Sequence, residues 1–268
     1  MRGLVTLMLH DVYETSPEES GFPGPAAARY KLRRPTFEAQ LEALKVARAD
    51  DPVLLTHDVP PTRGDRALSF AITADDGGIS YYTIMADRLE ALGWRGHCFV
   101  ATDWIGRPGF LDKRQLRELR ARGHVIGSHS ASHPPRFSAC GWPRLIREWE
   151  DSCRLLADVL GEDVTVASVP GGYFSSEVAR AARQAGLRVL FTSEPSTRLV
   201  HRRGLLVAGR FAIRHACGVD FARRLATGRA TALWGEWLGW NAKKLLKTCL
   251  GETYPRLARR LHGAARAA

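Results

Sequence analysis

Cysteine is sparse in this chain of 268 residues. Cys98, Cys140, Cys153, Cys217 and Cys249 are odd in number and none has a close partner, which excludes a disulfide framework and a CxxC zinc or redox motif. A reducing compartment is expected. Long apolar runs are missing too: no stretch approaches the roughly 18 apolar residues of a membrane span. The opening run Leu4 to Leu9 ends at His10 and Asp11 without a cleavage-like segment, so it reads as a first strand and not as an export signal. The expected location is the cytoplasm, within reach of the inner face of the membrane. Acidic residues are outnumbered 28 to 39, and the net charge of +11 favours anionic partners or anionic membrane surfaces. Nucleic acid is not the expected partner, because zinc-finger spacing, RNP-like aromatics and an isolated basic tail are all missing and the arginines scatter over helices.

What is present alternates. After the first strand, residues 14–35 are rich in Pro, Gly and Ser without periodicity and read as a long loop, and Thr36 then reads as the cap of a helix carrying Phe37, Leu41, Leu44 and Ala47. Strand-like ALSFAIT, GHCFVAT, HVIGS, VTVASVP, LRVLFTS and GLLVAGRFAIR follow, most of them trailed by an amphipathic helix. Short apolar runs alternating with helices mean βα units on a parallel sheet. About seven such units, with no glycine-rich phosphate loop after the first strand, predict an α/β fold, a distorted (β/α)7-type barrel as a single domain, over an open doubly wound sheet. Residues 1–230 form this barrel, and residues 231–268 a basic helical extension packed on or next to it.

Two strand ends carry chemistry. In ITADDGG, Asp75 and Asp76 emerge from one glycine-bounded turn and point in different directions, so one can bind a metal while the other stays ionised beside it as a base. Alone, DDG reads first as a turn capping the next helix. In GSHSASHPP, His129 and His133 stand four apart, a spacing that can bring two imidazoles to one side of a helical turn; alone, the pair reads as one buried and one surface histidine. Two His and one Asp with open positions form the ligand set of a hydrolytic metal site.

The order ITADDGG, GHVIGSHSASH, ASVPGGY resembles the polysaccharide deacetylases of the NodB-homology type, carbohydrate esterase family 4, over about residues 1–215. The resemblance implies a metal-dependent deacetylase of an N-acetylated sugar. Asp75 is then the general base, and Asp76, His129 and His133 hold one divalent ion, zinc before cobalt, nickel or manganese. Pro170 and the Gly171 N–H serve the oxyanion. The family's late acid histidine has no convincing match, since His201 and His215 are poorly placed; some relatives are circularly permuted, which makes His10 on the first strand the candidate acid, against a structural His10–Asp11 pair. Ser168 stands where the family has an arginine that orients the base, so Arg210 or Arg214 substitutes, or Asp75 is tuned otherwise. A non-sugar amide hydrolase and a noncatalytic carbohydrate-binding barrel remain as alternatives.

The C-terminal segment places Trp234, Trp237, Leu238, Leu245 and Cys249 near helical spacing beside Lys243, Lys244 and Lys247. Packing of its aromatics on the barrel is the favoured expectation, and peripheral contact with a membrane the other. Oligomeric state is open.

Overall fold

The computed structural model describes residues 3–56, 68–202 and 204–250, with side chains described as far as Ala242. Leu245 and Cys249, with Lys243, Lys244 and Lys247, therefore lie outside the described side chains.

Short strands that are apolar on both sides pack only where helices cover one face and other strands the opposite one. β1 (Leu4–Leu9) is buried at all six positions. It pairs in parallel with β4 (Ser69–Ala74), and β5 (His97–Val100), β6 (Val125–Ser128), β7 (Val166–Ser168) and β8 (Val189–Phe191) follow in sheet order. A small separate sheet pairs β2 (Val12–Tyr13) with β3 (Leu32–Arg33). Between these run α1 (Pro25–Ala28), α2 (Arg34–Ala47), α3 (Ala86–Ala91), α4 (Lys113–Ala121), α5 (Trp142–Leu160) and α6 (Ser176–Gln184). The hairpin β9 (Leu199–Arg202) and β10 (Leu205–Ala208), the two-residue β11 (Phe211–Ala212), α7 (Phe221–Ala226) and α8 (Ala230–Leu250) complete the chain.

Closure is achieved by one kinked segment. β10 lies parallel to β8, and β11, only Gly209 and Arg210 later, lies parallel to β1. Residues 205–212 thus bridge the two ends of the sheet, and β1, β4, β5, β6, β7, β8 and this split strand make the expected seven-strand ring. The stretch GLLVAGRFAIR, expected as one strand, is two. Gly209 allows the kink: a Cβ there would meet the Glu194 carbonyl oxygen at 2.4 Å.

Other boundaries also shift. The expected loop 14–35 carries β3, α1 and a 3-10 turn at Pro17–Glu19. α2 starts at Arg34, ahead of Thr36, because Pro35 fits a first helical turn, where its missing N–H needs no partner. β9 went unread because it is an edge strand with three of four residues exposed, so no apolar run marks it.

The two faces of the sheet have separate cores. Val5, Leu7, Phe70, Ile72 and Cys98 face the helices, with Trp94, Trp149 and Leu156, whereas Leu4, Ala71, Phe99, Val125, Val166 and Leu206 fill the barrel. The period of two then decides what lies at the barrel mouth. Continuing the inward register past each strand end gives His10 after Leu4, Asp75 after Ala71, His129 after Val125 and Ser168 after Val166.

Gly209→Ala is expected to strain the closing kink by about 1–3 kcal/mol, as overpacking of a tight site does. A lowered urea midpoint with unchanged slope checks this; an unchanged midpoint contradicts the role given to Gly209.

Candidate active site

Asp75, Asp76, His10, His129, His133, Gly171 and Arg210 all border one cavity of about 750 Å³ at the C-terminal ends of the strands. Each of the three strand-end loops contributes differently.

Asp76 sits in left-handed backbone with φ 77°, as do Ser130 at 64° and His133 at 53°. Such conformations are disfavoured for residues with a Cβ and persist only where surroundings fix them. They turn the two loops so that Asp76 Oδ1 lies 3.4 Å from His129 Nε2 and 3.5 Å from His133 Nε2. The histidines therefore do not share a helical turn, as their spacing suggested; they converge through an irregular loop. Ser130 Oγ accepts from the His133 N–H at 3.1 Å and Ser128 Oγ accepts from the Ser130 N–H at 3.1 Å, holding that loop.

This donor set fits a divalent ion. Tetrahedral coordination at about 2.1 Å separates neighbouring ligand atoms by about 3.4 Å, which is the separation of Asp76 from each histidine, and the three ligand atoms all lie within 4.8 Å of one another. His129 Nδ1 faces the Ser168 carbonyl oxygen at 3.0 Å and, with its proton there, leaves Nε2 free to ligate. Burial pushes His133 towards its neutral form, and the His129 charge adds to this. Burial has the same tendency at His129, but Asp75 and Asp76 outweigh it and raise its affinity for a proton. A cation between these side chains would take the place of that proton.

Asp75 is held apart from this cluster. Arg210 donates from Nη1 to Oδ1 at 2.6 Å and from Nη2 to Oδ2 at 2.7 Å, and Ser168 Oγ donates to Oδ1 at 3.0 Å. Arg210 is completely buried, its Nε donating to the Thr192 carbonyl at 3.1 Å. Burial alone would push the Asp75 carboxyl up, but the charges of Arg210 and His129 and the paired hydrogen bonds hold it well below the usual carboxylate range. Of the two arginines offered for the position that Ser168 leaves vacant, Arg210 takes it; Arg214 pairs instead with Glu236 at 2.6 Å. Sequence reading treated Ser168 only as a departure, yet its Oγ also lies 2.6 Å from His129 Nδ1, tying base to ligand.

His10 borders the cavity with its ring 4.8 Å from that of Tyr30, and its buried Nδ1 has no hydrogen-bond partner. The alternative His10–Asp11 pair is not formed: Asp11 Oδ1 accepts from Ser20 Oγ at 2.6 Å and Ser80 Oγ at 2.8 Å. His201 lies on the exposed β9, and His215 is exposed near Arg29; neither borders the cavity. Pro170 is buried at the start of a 3-10 turn, Pro170–Gly172, and does not line the cavity itself, whereas Gly171, with φ 59°, does. Its N–H belongs to a first turn, where backbone donors lack helical partners.

Several cavity residues had no sequence signal. Phe22 packs against His133 at 4.9 Å between ring centres, and the loop that carries it is pinned by buried Lys31, whose Nζ donates to the carbonyls of Pro17, Ser20 and Phe22. Tyr173, Glu236 and Trp240 complete the rim, the last two from α8.

Arg210→Met should strand the buried Asp75 carboxylate and lower stability by about 3–5 kcal/mol. Because the folded carboxyl binds protons less readily than the unfolded one, the stabilisation is present above the unfolded value near 3.8 and is lost as pH falls below it. Wild type should therefore lose stability from about pH 4 downward more steeply than Arg210→Met; parallel acid limbs in thermal melts would contradict the clamp.

With this geometry in view, comparisons agree with it. The sequence model described as polysaccharide deacetylase matches residues 62–190. YxkH of Bacillus subtilis, named after the same family, is 27% identical over 143 residues, 53% of this chain and 50% of its own. The chitooligosaccharide deacetylase of Sinorhizobium fredii is 30% identical over 135 residues, 50% of this chain and 60% of that protein. The matches thus span about half the length of these curated relatives. In fold, the chain is similar to the Streptococcus pyogenes deacetylase PplD, solved in complex with acetate, with a TM-score of 0.65 at 19% identity over 81% of this chain and 95% of that one. Motif order, matched segment and barrel agree: residues 62–190 are similar to the polysaccharide deacetylases, on a fold shared with a solved deacetylase.

Proposed function

We propose that the protein is a metal-dependent deacetylase that hydrolyses the acetamide of an N-acetylated sugar, on a small glycoside or a nucleotide-linked, lipid-linked or polymeric carrier. The observation that carries the reading is the Asp76–His129–His133 triangle beside the clamped Asp75 in one cavity. Aromatic rings of Tyr30, Tyr173 and Trp240 around polar groups suit a ring with apolar C–H faces and hydroxyl edges. The Sinorhizobium relative's name points to the same substrate class.

A divalent ion held by Asp76, His129 and His133 would act as a Lewis acid towards the acetamide carbonyl and the attacking water. The remaining work falls to the chain. Asp75, ionised at every working pH because of Arg210, accepts the proton of the water. Arg210 keeps the carboxylate in one orientation, and Ser168 shares that task. The Gly171 N–H supports the developing oxyanion. His10, which follows β1, the strand next to the one that leads to Asp75, delivers a proton to the leaving nitrogen, and the Arg210 clamp that keeps Asp75 ionised keeps the donor and acceptor of protons distinct.

Asp75→Asn should retain the ion, since Asp75 is no ligand, while acetate release from N-acetyl sugars falls by ~10²-fold or more. Unaltered turnover would assign proton abstraction elsewhere. A panel including non-sugar acetamides separates the two hydrolase readings: sugar preference supports the proposal, and exclusive cleavage of non-sugar amides overturns it. Binding of glycans without any acetate release would mark a noncatalytic barrel.

For His10→Ala, amide turnover should drop steeply with little change in KM, while hydrolysis of an acetyl nitrophenyl ester, whose leaving group departs unprotonated, should drop much less. Equal losses on both substrates would remove His10 from the role of acid.

A further inference from the structure

α8 has two faces of opposite character. Glu236, Gly239 and Trp240 border the catalytic cavity, and Glu236 is anchored there by Arg214. On the other side Trp234, Trp237 and Leu238 are 61%, 42% and 57% exposed. These residues stand at i, i+3 and i+4, so they form one stripe, and the two indole rings pack edge to face at 5.5 Å between centres. The expectation that Trp234 and Trp237 pack on the barrel is therefore not met; Trp240, which the sequence reading did not name, is the one at the cavity rim. The other exposed large apolar side chains among the described residues, Val46, Val200 and Val219, stand singly, which is ordinary for a protein surface. An exposed Trp–Trp–Leu stripe is not.

Charge identifies what covers it. Arg224 and Arg229 are exposed immediately before α8. From Trp237 to Ala268 the sequence holds seven basic residues, Lys243, Lys244, Lys247, Arg256, Arg259, Arg260 and Arg266, against one acid, Glu252. A second copy of the chain would bring a like-charged surface to this stripe and be repelled. An anionic bilayer attracts it, and indole rings are the side chains that settle best between headgroups and acyl chains. No helix among the described residues is long and apolar enough to cross a membrane.

We propose that the outer face of α8 docks the protein on an anionic lipid surface, with Trp234, Trp237 and Leu238 entering the headgroup layer and the flanking basic residues held by lipid charge. Because the inner face of the same helix forms the cavity rim, docking sets the mouth of the cavity beside the bilayer. The docking does not depend on the proposed deacetylation and is measured without it.

The test is flotation of the full chain with vesicles of phosphatidylcholine and phosphatidylglycerol at about 7:3, against phosphatidylcholine alone. Binding is expected to the anionic vesicles only, to weaken as salt rises, and to fall by about tenfold or more in Trp234→Ser/Trp237→Ser. Circular dichroism and turnover of a soluble substrate should be unchanged in that variant. Quenching of tryptophan fluorescence by brominated lipid in the unsubstituted protein gives a second reading that needs no variant. Absence of anionic-vesicle binding, equal binding by the variant, or no quenching overturns the proposal. So does a dimer that the double substitution dissociates without any vesicle binding.

Discussion

The Asp75–Arg210 pair is the interaction on which the rest of the site depends. A fully buried guanidinium and a buried carboxylate are costly to remove from water, and only bidentate geometry with further hydrogen bonds makes the pair tolerable. Thr192, Thr73 and Ser168 supply those bonds. The pair also joins distant parts of the chain: Asp75 directly follows β4, while Arg210 occupies the kink where the closing segment passes from β8 to β1. Closing the barrel and orienting the carboxylate are thus one event.

From that pair a chain of contacts runs outward. Ser168 touches both Asp75 and His129, His129 faces Asp76, and Asp76 faces His133. The three left-handed residues, Asp76, Ser130 and His133, belong to this chain and not to the scaffold around it. Backbone strain concentrated there fits a cluster assembled to hold a cation that supplies compensation. Around it, Lys31 and Asp11 fix the loop after β1, so that Phe22 and Tyr30 stand over His133 and His10.

Much of this was legible in the sequence because strand period and motif spacing are local. Alternating apolar runs gave the βα order, and DDGG and HSASH at strand ends marked the residues the structure gathers into one cavity. Selection between Arg210 and Arg214 was not legible: both leave the same late strand segment, and only the kink at Gly209 decides which side chain turns inward. The path from His129 to His133 was misread as helical because four-residue spacing cannot distinguish a turn of helix from a loop with positive φ. The rim residues from α8 were hidden for a different reason. Trp234, Trp237 and Trp240 share one amphipathic signal, and which of them meets the barrel depends on the helix's approach angle, a tertiary quantity.

The central claim is that Asp76, His129 and His133 form a cation site governed by their own geometry. Elemental analysis of purified protein is its most direct test. About one divalent ion per chain is expected in the unsubstituted protein, and His129→Ala/His133→Ala should release it while the fold persists. Full occupancy in that double variant would contradict the account.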